Sequence, residues 1–399
     1  NDEMRDGNMN SLFISSKIII LKNKIINRKD PYVFYEINES LYQLLLDIYS
    51  NKKFQIDDDL LNYLLGKEIL THHANNYNPF CKTSEYNRNR LFIQLTNKCN
   101  LFCRHCYADS HSNVSGEYFT LHTAKQLIDN AVSLGIYKID FTGGEVFVKK
   151  WFYELLKYID SLPITYSIFT NLTLVDEVMI QQIKHLDGLC SVITSLDYFD
   201  KQKHNAFRGA AYAYDNTMRT IESLDAIGVK VYVNSIVMND NHDDIKKLIQ
   251  YFEDKSIEVH LDMIMECGRA EKNIVQTDFI DDNITFIKSI IKKSKKIKNE
   301  SHDYSNMETC GVADTLLFVD YRGAFNVCPS LTRDLSEEYY LGDTIEIAHN
   351  NLTKLNLKCN ETECKIYAKC SYGCRARALQ YTGDVNGKDI LMCKYLCKG

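Results

Sequence analysis

The sequence predicts an α/β protein built around a parallel β-sheet, with a smaller unit on each side of the sheet. Between residues 91 and 264, β-rich segments alternate with amphipathic ones. Repeated strand–helix pairs of this kind favour a parallel sheet that curls into a partial (β/α)6 barrel. Two short β-rich segments and then two helical ones precede the barrel, which is a winged-helix plan. Eight of the fourteen cysteines lie at or beyond Cys310, which indicates a cysteine-rich unit there.

The composition excludes several classes of protein. A chain of 399 residues exceeds one ordinary core, so two or three domains are expected. The net charge of −6 gives no general attraction to nucleic acid or to anionic membranes. The apolar run Lys17–Ile26 is interrupted by Lys22 and Lys24, so it predicts neither a signal peptide nor a membrane span. We therefore expect a cytoplasmic protein, in which cysteines are more often metal ligands than disulfide partners.

The first predicted unit covers residues 1–88, including a linker from residue 76. Its strands are expected at Lys17–Leu21 and Tyr32–Glu36, separated by a turn near residues 27–31. A first helix follows Asn38, a plausible N-cap, and a second helix is expected to end with Gly66 as its C-cap. The leucines and isoleucine that recur at helical spacing in these two segments are Leu41, Leu44, Leu45, Ile48, Leu60, Leu61, Leu64 and Leu65.

The second predicted unit is the barrel, residues 89–304. In such a barrel the loops that follow the strands meet on one face, where catalysis is found. The predicted strands are residues 91–95, 138–141, 164–169, 191–196, 229–237 and 257–264, and the predicted helices are residues 120–134, 150–161, 175–186, 212–227 and 242–254.

Three cysteines follow the first barrel strand within eight residues. Cys99, Cys103 and Cys106 have the spacing C-x3-C-x2-C. Thiolate sulfur is a preferred ligand of iron, so a loop this tight can hold three corners of an iron–sulfur cube and leave the fourth iron open. An open iron can bind a small molecule and pass it an electron, which points to catalysis. The alternative is a zinc site, although zinc sites usually pair C-x2-C units with a second pair of ligands.

This spacing, with the aromatic residue His105 before the third cysteine, resembles the signature of the radical S-adenosylmethionine (SAM) enzymes. The resemblance implies a TIM-like partial barrel whose open iron binds SAM and whose cluster electron breaks SAM to give a 5′-deoxyadenosyl radical. The segment Gly143-Gly144-Glu145 after the second strand is similar to the family segment that binds the SAM amino group, and its glycines would let the backbone approach a ligand. Val146 stands where the family usually has proline.

Further SAM contacts are carried over from the same resemblance. Asn171 ends the third strand and Ser195 ends the fourth, which would bring both to the catalytic face. Asp197 would orient neighbouring groups, and Arg208 would pair with the SAM carboxylate. The alternative for Asp197 and Arg208 is a surface ion pair. The segment after the sixth strand, residues 268–270, matches a recurrent family segment without an assigned role.

The third predicted unit, residues 305–399, resembles the SPASM domain, which carries two auxiliary [4Fe–4S] clusters. The gap of four residues between Cys359 and Cys364 departs from the usual C-x2-C start. The first auxiliary cluster would have three evident cysteine ligands, so its fourth iron would bind a substrate thiol or a spare cysteine such as Cys397. The cysteines outside the two ligand sets, Cys81, Cys190 and Cys267, are expected to be inert. Zinc is the alternative for this tail. The resemblance implies Cys310, Cys328 and Cys374 as ligands of the first cluster and Cys359, Cys364, Cys370 and Cys393 as ligands of the second.

The first unit resembles the PqqD-like domains that recognise leader peptides in maturases of ribosomally made peptides. In that family the leader adds a strand to a sheet edge; the alternative here is a structural cap for the barrel. Together the three resemblances imply a radical SAM oxidoreductase with three [4Fe–4S] clusters that forms thioether crosslinks in a precursor peptide. An external flavodoxin or ferredoxin type of donor would supply electrons.

Several alternatives stay open. A carbon–carbon or carbon–oxygen crosslink, or epimerisation, would use the same parts. Formylglycine-type sulfatase maturation would leave the leader-binding unit without a purpose. A non-catalytic peptide- or metal-binding protein would need no SAM segment. The substrate peptide, the bond formed and the oligomeric state are not determined by the sequence.

Overall fold

The computed structural model describes residues 5–6, 12–83, 88–273, 280–293, 312, 315–361, 364–365, 370 and 372–397. The predicted ligand Cys310 and the predicted boundary between residues 304 and 305 lie outside the described residues. Among the helices that are described, none is both long and apolar enough to cross a membrane.

The N-terminal unit consists of short strands around two helices. Its sheet orders β3, β4 and β5 side by side in antiparallel pairs. Ile20, Leu45 and Leu64, all fully buried, fill the core between this sheet and the helices. The elements are β1 (Arg5–Asp6), β2 (Phe13–Ile14), β3 (Ile18–Leu21), β4 (Lys24–Asn27), β5 (Phe34–Glu36), α1 (Glu39–Tyr49), β6 (Gln55–Ile56), α2 (Asp58–Gly66) and β7 (Leu70–Thr71).

The predicted cap of α1 is confirmed, and the predicted cap of α2 is wrong. The side chain of Asn38 accepts a hydrogen bond from the Leu41 N–H at 2.9 Å. Gly66 is the last residue of α2, and Lys67 caps the helix with an ordinary negative φ. The chain reverses one residue later, at Glu68, which adopts a φ of 54°. Strand β4, which ends where the predicted turn begins, is not predicted from the sequence.

The barrel strands confirm the predicted order. Six parallel strands lie side by side in the order in which they occur along the chain. They are β8 (Arg90–Gln94), β9 (Lys138–Thr142), β10 (Thr165–Phe169), β11 (Leu189–Ser195), β12 (Val231–Val237) and β13 (Glu258–Met263). The helices are α3 (Leu121–Ser133), α4 (Phe152–Asp160), α5 (Glu177–Ile183), α6 (Lys201–Arg208), α7 (Ala213–Ala226), α8 (His242–Tyr251), α9 (Arg269–Asn273) and α10 (Ile280–Lys293).

The cysteine-rich tail shares the sheet of the barrel. β14 (Leu316–Val319) pairs in parallel with β8, so that Leu317 faces Leu91. The sheet then continues with two antiparallel strands to a total of nine strands. The tail therefore covers the β8 edge, which would otherwise offer unpaired backbone groups. The remaining elements are β15 (Phe325–Asn326), β16 (Tyr340–Gly342), α11 (Ile345–Leu352), α12 (Arg375–Thr382) and α13 (Ile390–Cys397).

Arg28 fastens the N-terminal unit to the barrel. Its guanidinium is fully buried and donates to the backbone carbonyls of Ser16, Asp160 and Ile164 at 2.8–3.0 Å. It also lies 4.6 Å from the centre of the Tyr77 ring. Asp160 and Ile164 precede β10, so the N-terminal unit contacts the end of the barrel where the strands begin. The carboxyl ends of the strands, at the other end of the barrel, carry the predicted site.

Candidate active site

The cysteine loop follows β8 and is fixed by backbone contacts on two sides. The Cys99 N–H donates to the His111 carbonyl at 3.1 Å, which closes the loop on itself. The Phe102 N–H donates to the Arg208 carbonyl at 3.1 Å and the Arg104 N–H to the Phe207 carbonyl at 3.0 Å. The loop is therefore attached to the end of α6, a helix that the sequence analysis did not predict.

All three sulfurs of the loop accept hydrogen bonds. Cys99 Sγ accepts from the Leu101 N–H at 3.4 Å and from Asn171 Nδ2 at 3.8 Å. Cys103 Sγ accepts from Arg208 Nη1 at 3.8 Å, and Cys106 Sγ accepts from the Ser110 N–H at 3.4 Å. Donors aimed at sulfur stabilise thiolates that bind iron. The donor set therefore fits an iron–sulfur cluster.

Burial alone works against the thiolate form in this loop. It raises the pKa of Cys99 to about 12, and it raises the pKa of Cys103 even though the nearby Arg208 charge opposes the shift. Metal binding offsets such a cost because the ligand must lose its proton. Among the described residues, no three side chains of His, Cys, Asp or Glu are placed to hold a single ion.

The two glycines of the Gly143-Gly144-Glu145 segment lie directly against the start of the cysteine loop. A Cβ on Gly143 would stand 2.7 Å from the Thr96 carbonyl oxygen, and one on Gly144 would overlap the Lys98 carbonyl oxygen. The Gly144 N–H donates to the Thr96 carbonyl at 2.8 Å. These glycines thus let the backbone of their own segment approach the backbone at the start of the cysteine loop. The sequence predicts instead that they let the backbone approach a bound ligand.

Glu145 is fully buried, and both of its carboxylate oxygens accept hydrogen bonds from the protein. Oε1 accepts from the Phe147 N–H at 3.0 Å and from Thr170 Oγ1 at 2.7 Å, and Oε2 accepts from the Asn171 N–H at 2.7 Å. Burial raises the pKa of Glu145, and these bonds oppose the shift. The side chain therefore joins the end of β9 to the end of β10 and positions Asn171.

Asp197 and Arg208 form a buried ion pair, so the alternative of a surface pair is wrong. Arg208 Nη2 donates to Asp197 Oδ2, and both side chains are less than a tenth exposed. Burial would raise the pKa of Asp197, but the Arg208 charge, together with His105, His204 and the Ile236 N–H, outweighs burial and holds the pKa below its usual range. Among the described residues, Arg208 Nε is buried without a hydrogen-bond partner.

His105 stacks on Phe207, with ring centres 4.5 Å apart and ring planes 13° from parallel. Burial, aided by the Arg208 charge, lowers the pKa of His105 to about 4, so the ring is neutral at ordinary pH. Its Nδ1 finds no hydrogen-bond partner within the described part of the chain. Ser195 ends β11, where it pairs in register with Asn234 of β12.

Arg269, for which the sequence predicts no role, fixes the cysteine loop from the other side. Its Nε donates to the Cys103 carbonyl at 2.8 Å, and its Nη1 donates to Asp109 Oδ1 at 2.7 Å and to the Ser110 carbonyl at 2.8 Å. Its guanidinium lies 4.0 Å from the centre of the Phe102 ring. The only sequence signal was the recurrent segment at residues 268–270, which indicated importance but no contact.

Among the predicted ligands of the second auxiliary cluster, Cys370 lies within electrostatic range of Cys393 and Cys364. Burial raises the pKa of Cys370 to about 11, and the charges of Cys393 and Cys364 add to the shift. Glu361 raises the pKa of Lys388, and Cys393 and Cys359 add to that shift. For the first cluster, Cys328 lies in a turn after β15, and Cys374 is the residue before α12.

Known proteins are similar to the barrel. Residues 93–252, from β8 through α8, match the model of the Radical SAM superfamily. The chain is similar to an AdoMet-dependent heme synthase of Oleidesulfovibrio alaskensis, at 31% identity over 178 residues that cover 44% of this chain and 46% of the relative. It is also similar to the antilisterial bacteriocin subtilosin biosynthesis protein AlbA of Bacillus subtilis, at 30% identity over 204 residues that cover 49% of this chain and 44% of AlbA. The chain thus matches about half the length of these relatives.

A solved structure extends the likeness to the whole chain. The crystal structure of Streptococcus suis SuiB bound to precursor peptide SuiA aligns with a TM-score of 0.64 and 14% identity, covering 96% of this chain and 99% of SuiB. At this identity the likeness shows the fold alone. The N-terminal unit, the barrel and the tail together share that fold.

Proposed function

We propose that this chain, whose residues 93–252 match the model of the Radical SAM superfamily, modifies a ribosomally made precursor peptide and forms thioether links between a cysteine sulfur and a carbon atom. One observation carries the proposal. Three cysteine sulfurs on one loop lie at the carboxyl ends of the barrel strands, and each of them accepts a hydrogen bond. The barrel that carries this loop is also attached to a separate unit with an exposed strand edge.

The chain's own residues would hold the cofactors in the following way. A [4Fe–4S] cluster on Cys99, Cys103 and Cys106, with SAM bound, would supply the 5′-deoxyadenosyl radical that removes a hydrogen atom from a peptide carbon. Asn171 and Arg208 donate to two of the three ligand sulfurs and so stabilise them as thiolates. The remaining proposed SAM contacts are His105, Gly143, Gly144, Glu145 and Ser195.

The exposed edge of β5 suits a leader peptide. Phe34, the first residue of β5, and the two residues before it, Tyr32 and Val33, expose between 42% and 61% of their surfaces, which is unusual for three consecutive large apolar residues. Within the described residues, β5 pairs only with β4. A peptide strand added to β5 would satisfy its outward backbone groups and cover these side chains. SuiB, which shares the fold of this chain, was crystallised with its precursor peptide SuiA, and this supports a peptide partner here.

The tail would hold two auxiliary clusters that accept the electron left when the substrate thiolate closes onto the carbon. Release of that electron to an external flavodoxin or ferredoxin type of protein would complete the oxidation. The proposed ligands are Cys310, Cys328 and Cys374 for the first cluster and Cys359, Cys364, Cys370 and Cys393 for the second.

Anaerobic reconstitution tests this proposal. The protein is loaded with iron and sulfide, then given SAM, dithionite and a cysteine-containing peptide encoded beside its gene. We expect 5′-deoxyadenosine and a peptide that has lost a pair of hydrogens per crosslink, with one iodoacetamide-reactive thiol lost for each pair. The Cys99/Cys103/Cys106 triple alanine variant should yield neither product, and Cys190→Ala is the matched control that should yield both.

Other products would assign other reactions. Hydrogen loss with every thiol still reactive means a carbon–carbon or carbon–oxygen crosslink, and an unchanged mass with inverted residues means epimerisation. An aldehyde in place of the thiol means formylglycine formation. Absence of 5′-deoxyadenosine from the wild type would contradict an enzymatic role altogether.

A further inference from the structure

The side chain of Asn171 donates to the first cysteine of the loop and to the residue that follows it. Its Nδ2 lies 3.8 Å from Cys99 Sγ and 3.0 Å from Asn100 Oδ1. A side-chain amide nitrogen carries two hydrogens, so each of these bonds has a hydrogen of its own. Because Asn100 takes one of them, the other is directed at the sulfur. The hydrogen bond to Cys99 therefore depends on where the Asn100 oxygen lies.

The other polar groups of Asn171 are held by the protein as well. Its Oδ1 accepts from the Thr173 N–H at 2.9 Å and from Thr173 Oγ1 at 2.6 Å. Its backbone N–H donates to Glu145 Oε2 at 2.7 Å, and its carbonyl accepts from Thr217 Oγ1 at 2.8 Å. Every polar group of Asn171 thus has a protein partner, and these partners keep its amide in one orientation.

Tyr212, the residue before α7, orients the side chain of Asn100. The Tyr212 hydroxyl donates to the Asn100 backbone carbonyl at 3.1 Å. Its single hydrogen is used in that bond, so toward the Asn100 side chain the hydroxyl can only accept. It accepts from Asn100 Nδ2 at 3.3 Å, and Thr173 Oγ1 accepts from the same nitrogen at 2.8 Å. The nitrogen of Asn100 is thus fixed toward Tyr212, which leaves its oxygen toward Asn171.

These hydrogen bonds form a relay from the surface to a buried sulfur. The Tyr212 ring is 43% exposed, whereas Cys99 is 9% exposed. The relay joins the start of α7, the cysteine loop and the loop after β10. A change at an exposed hydroxyl therefore alters the contact at the sulfur without altering any of the three cysteines.

We propose that Asn100 and Tyr212 are positioning residues that raise the reduction potential of the iron–sulfur cluster on the cysteine loop, by holding an Asn171 amide hydrogen against Cys99 Sγ. This inference rests on the cluster of the proposed function. Reduction by the external donor adds one electron to the cluster, and an N–H aimed at a ligand sulfur stabilises the added negative charge. Without Asn100 or Tyr212, the amide hydrogen is no longer fixed on the sulfur, so the cluster is harder to reduce.

A redox titration followed by EPR measures this effect without relying on activity. The full chain is reconstituted with iron and sulfide and reduced stepwise in the absence of SAM. The signal followed is the one that the Cys99/Cys103/Cys106 triple alanine variant lacks. Tyr212→Phe and Asn100→Ala should each lower the midpoint potential and keep the iron content of wild type. At a fixed applied potential, the ratio of reduced to oxidised cluster should fall about three- to tenfold, as loss of one hydrogen bond predicts.

The matched control is Tyr251→Phe. Tyr251 is 38% exposed, and its hydroxyl donates to Glu222 of α7 rather than to the cysteine loop. Removal of this hydroxyl should leave the potential unchanged. The double variant Tyr212→Phe/Asn100→Ala should have the potential of Asn100→Ala alone, because Tyr212 acts on the sulfur only through Asn100.

Three results would overturn the inference, and they differ. If Tyr212→Phe and Asn100→Ala keep the wild-type potential, or if Tyr251→Phe lowers it as much, the relay does not set the potential, while the cluster of the proposed function stands. Additive shifts in the double variant would mean that the two residues act separately. If wild type shows no signal beyond that of the triple alanine variant, the loop holds no cluster, and both the inference and the proposed function fail.

Discussion

The guanidinium of Arg208 serves two partners at once. It pairs with buried Asp197, and it donates to the sulfur of Cys103. Asp197 in turn accepts from the Ile236 N–H at 3.1 Å, so the pair also links β11 to β12. The positive charge beside the cysteine loop is therefore held by protein contacts on two sides. Arg208 Nε itself stays buried without a hydrogen-bond partner in the described part of the chain.

Asp197→Asn should destabilise the protein strongly. It keeps the shape of the side chain but leaves the buried Arg208 charge unpaired, which costs about 3–5 kcal/mol in comparable pairs. Urea unfolding of the metal-free protein measures the loss. The control is Asp243→Asn, which removes an exposed pair with Lys246 and should leave the free energy of unfolding unchanged. Equal effects of the two variants would contradict a structural role for the Asp197–Arg208 pair.

The destabilisation caused by Asp197→Asn should decrease as the pH falls. The pKa of Asp197 is lowered on folding, so its ionisation stabilises the folded state above the ordinary carboxyl pKa. The stabilisation is lost as the pH falls through the lowered pKa. The difference in unfolding free energy between wild type and Asp197→Asn should therefore be full above about pH 5 and shrink below about pH 4.

At the scale of the element, strand β5 has one paired side and one open side. The Asn27 N–H donates to the Val33 carbonyl and the Ile37 N–H donates to the Asn23 carbonyl, both at 3.0 Å. Odd-numbered residues of β5 therefore face β4. Because the backbone direction alternates along a strand, the N–H groups of Phe34 and Glu36 point to the open side, where a leader strand would bind.

Replacing Glu36 by proline tests this edge. Glu36→Pro removes an outward N–H without breaking the β4–β5 ladder, since proline is tolerated on edge strands. Loss of one backbone hydrogen bond should weaken binding of a fluorescent leader peptide roughly 3- to 10-fold, measured by anisotropy. Glu36→Ala keeps the N–H and should bind like wild type. If the two variants bind equally well, the leader does not add a strand to β5.

At the scale of the whole molecule, the N-terminal unit and the cysteine loop lie at opposite ends of the barrel. Arg28 holds the unit in place from a fully buried position. Gly188, just before β11, leaves room for it, since a Cβ there would overlap the Arg28 guanidinium. Arg28 therefore attaches the unit to the end of the barrel away from the cysteine loop, so the part of a peptide that follows a bound leader must extend along the barrel to reach that loop.

Arg28→Ala should separate peptide modification from SAM cleavage. Without the anchor, the tethered peptide loses its fixed position, so peptide conversion should fall about tenfold or more. SAM cleavage without peptide should stay within about twofold of wild type, because the cysteine loop is at the other end of the barrel. Both rates are measured by mass spectrometry, with Lys22→Ala, an exposed position of the same unit, as the control. Parallel loss of both activities would mean that Arg28 supports the barrel itself.

The sequence by itself determined the features that depend on short stretches of chain. The six barrel strands and the cap at Asn38 follow from local periodicity and composition, because burial on one face imposes a repeat that neighbouring residues carry. The spacing of Cys99, Cys103 and Cys106 identified the cysteine loop for a similar reason, since one loop must supply all three sulfurs.

Only the tertiary structure decided which distant segments meet. The pairing of β14 with β8, the burial of Arg208 against Asp197 and the place of Cys267 beside the tail all join residues from separate elements. No local pattern encodes such contacts, because the free energy that fixes them comes from burying both partners together. A lone cysteine between two motifs is uninformative in the sequence, and the fold places Cys267 against Ser330, in the turn after β15.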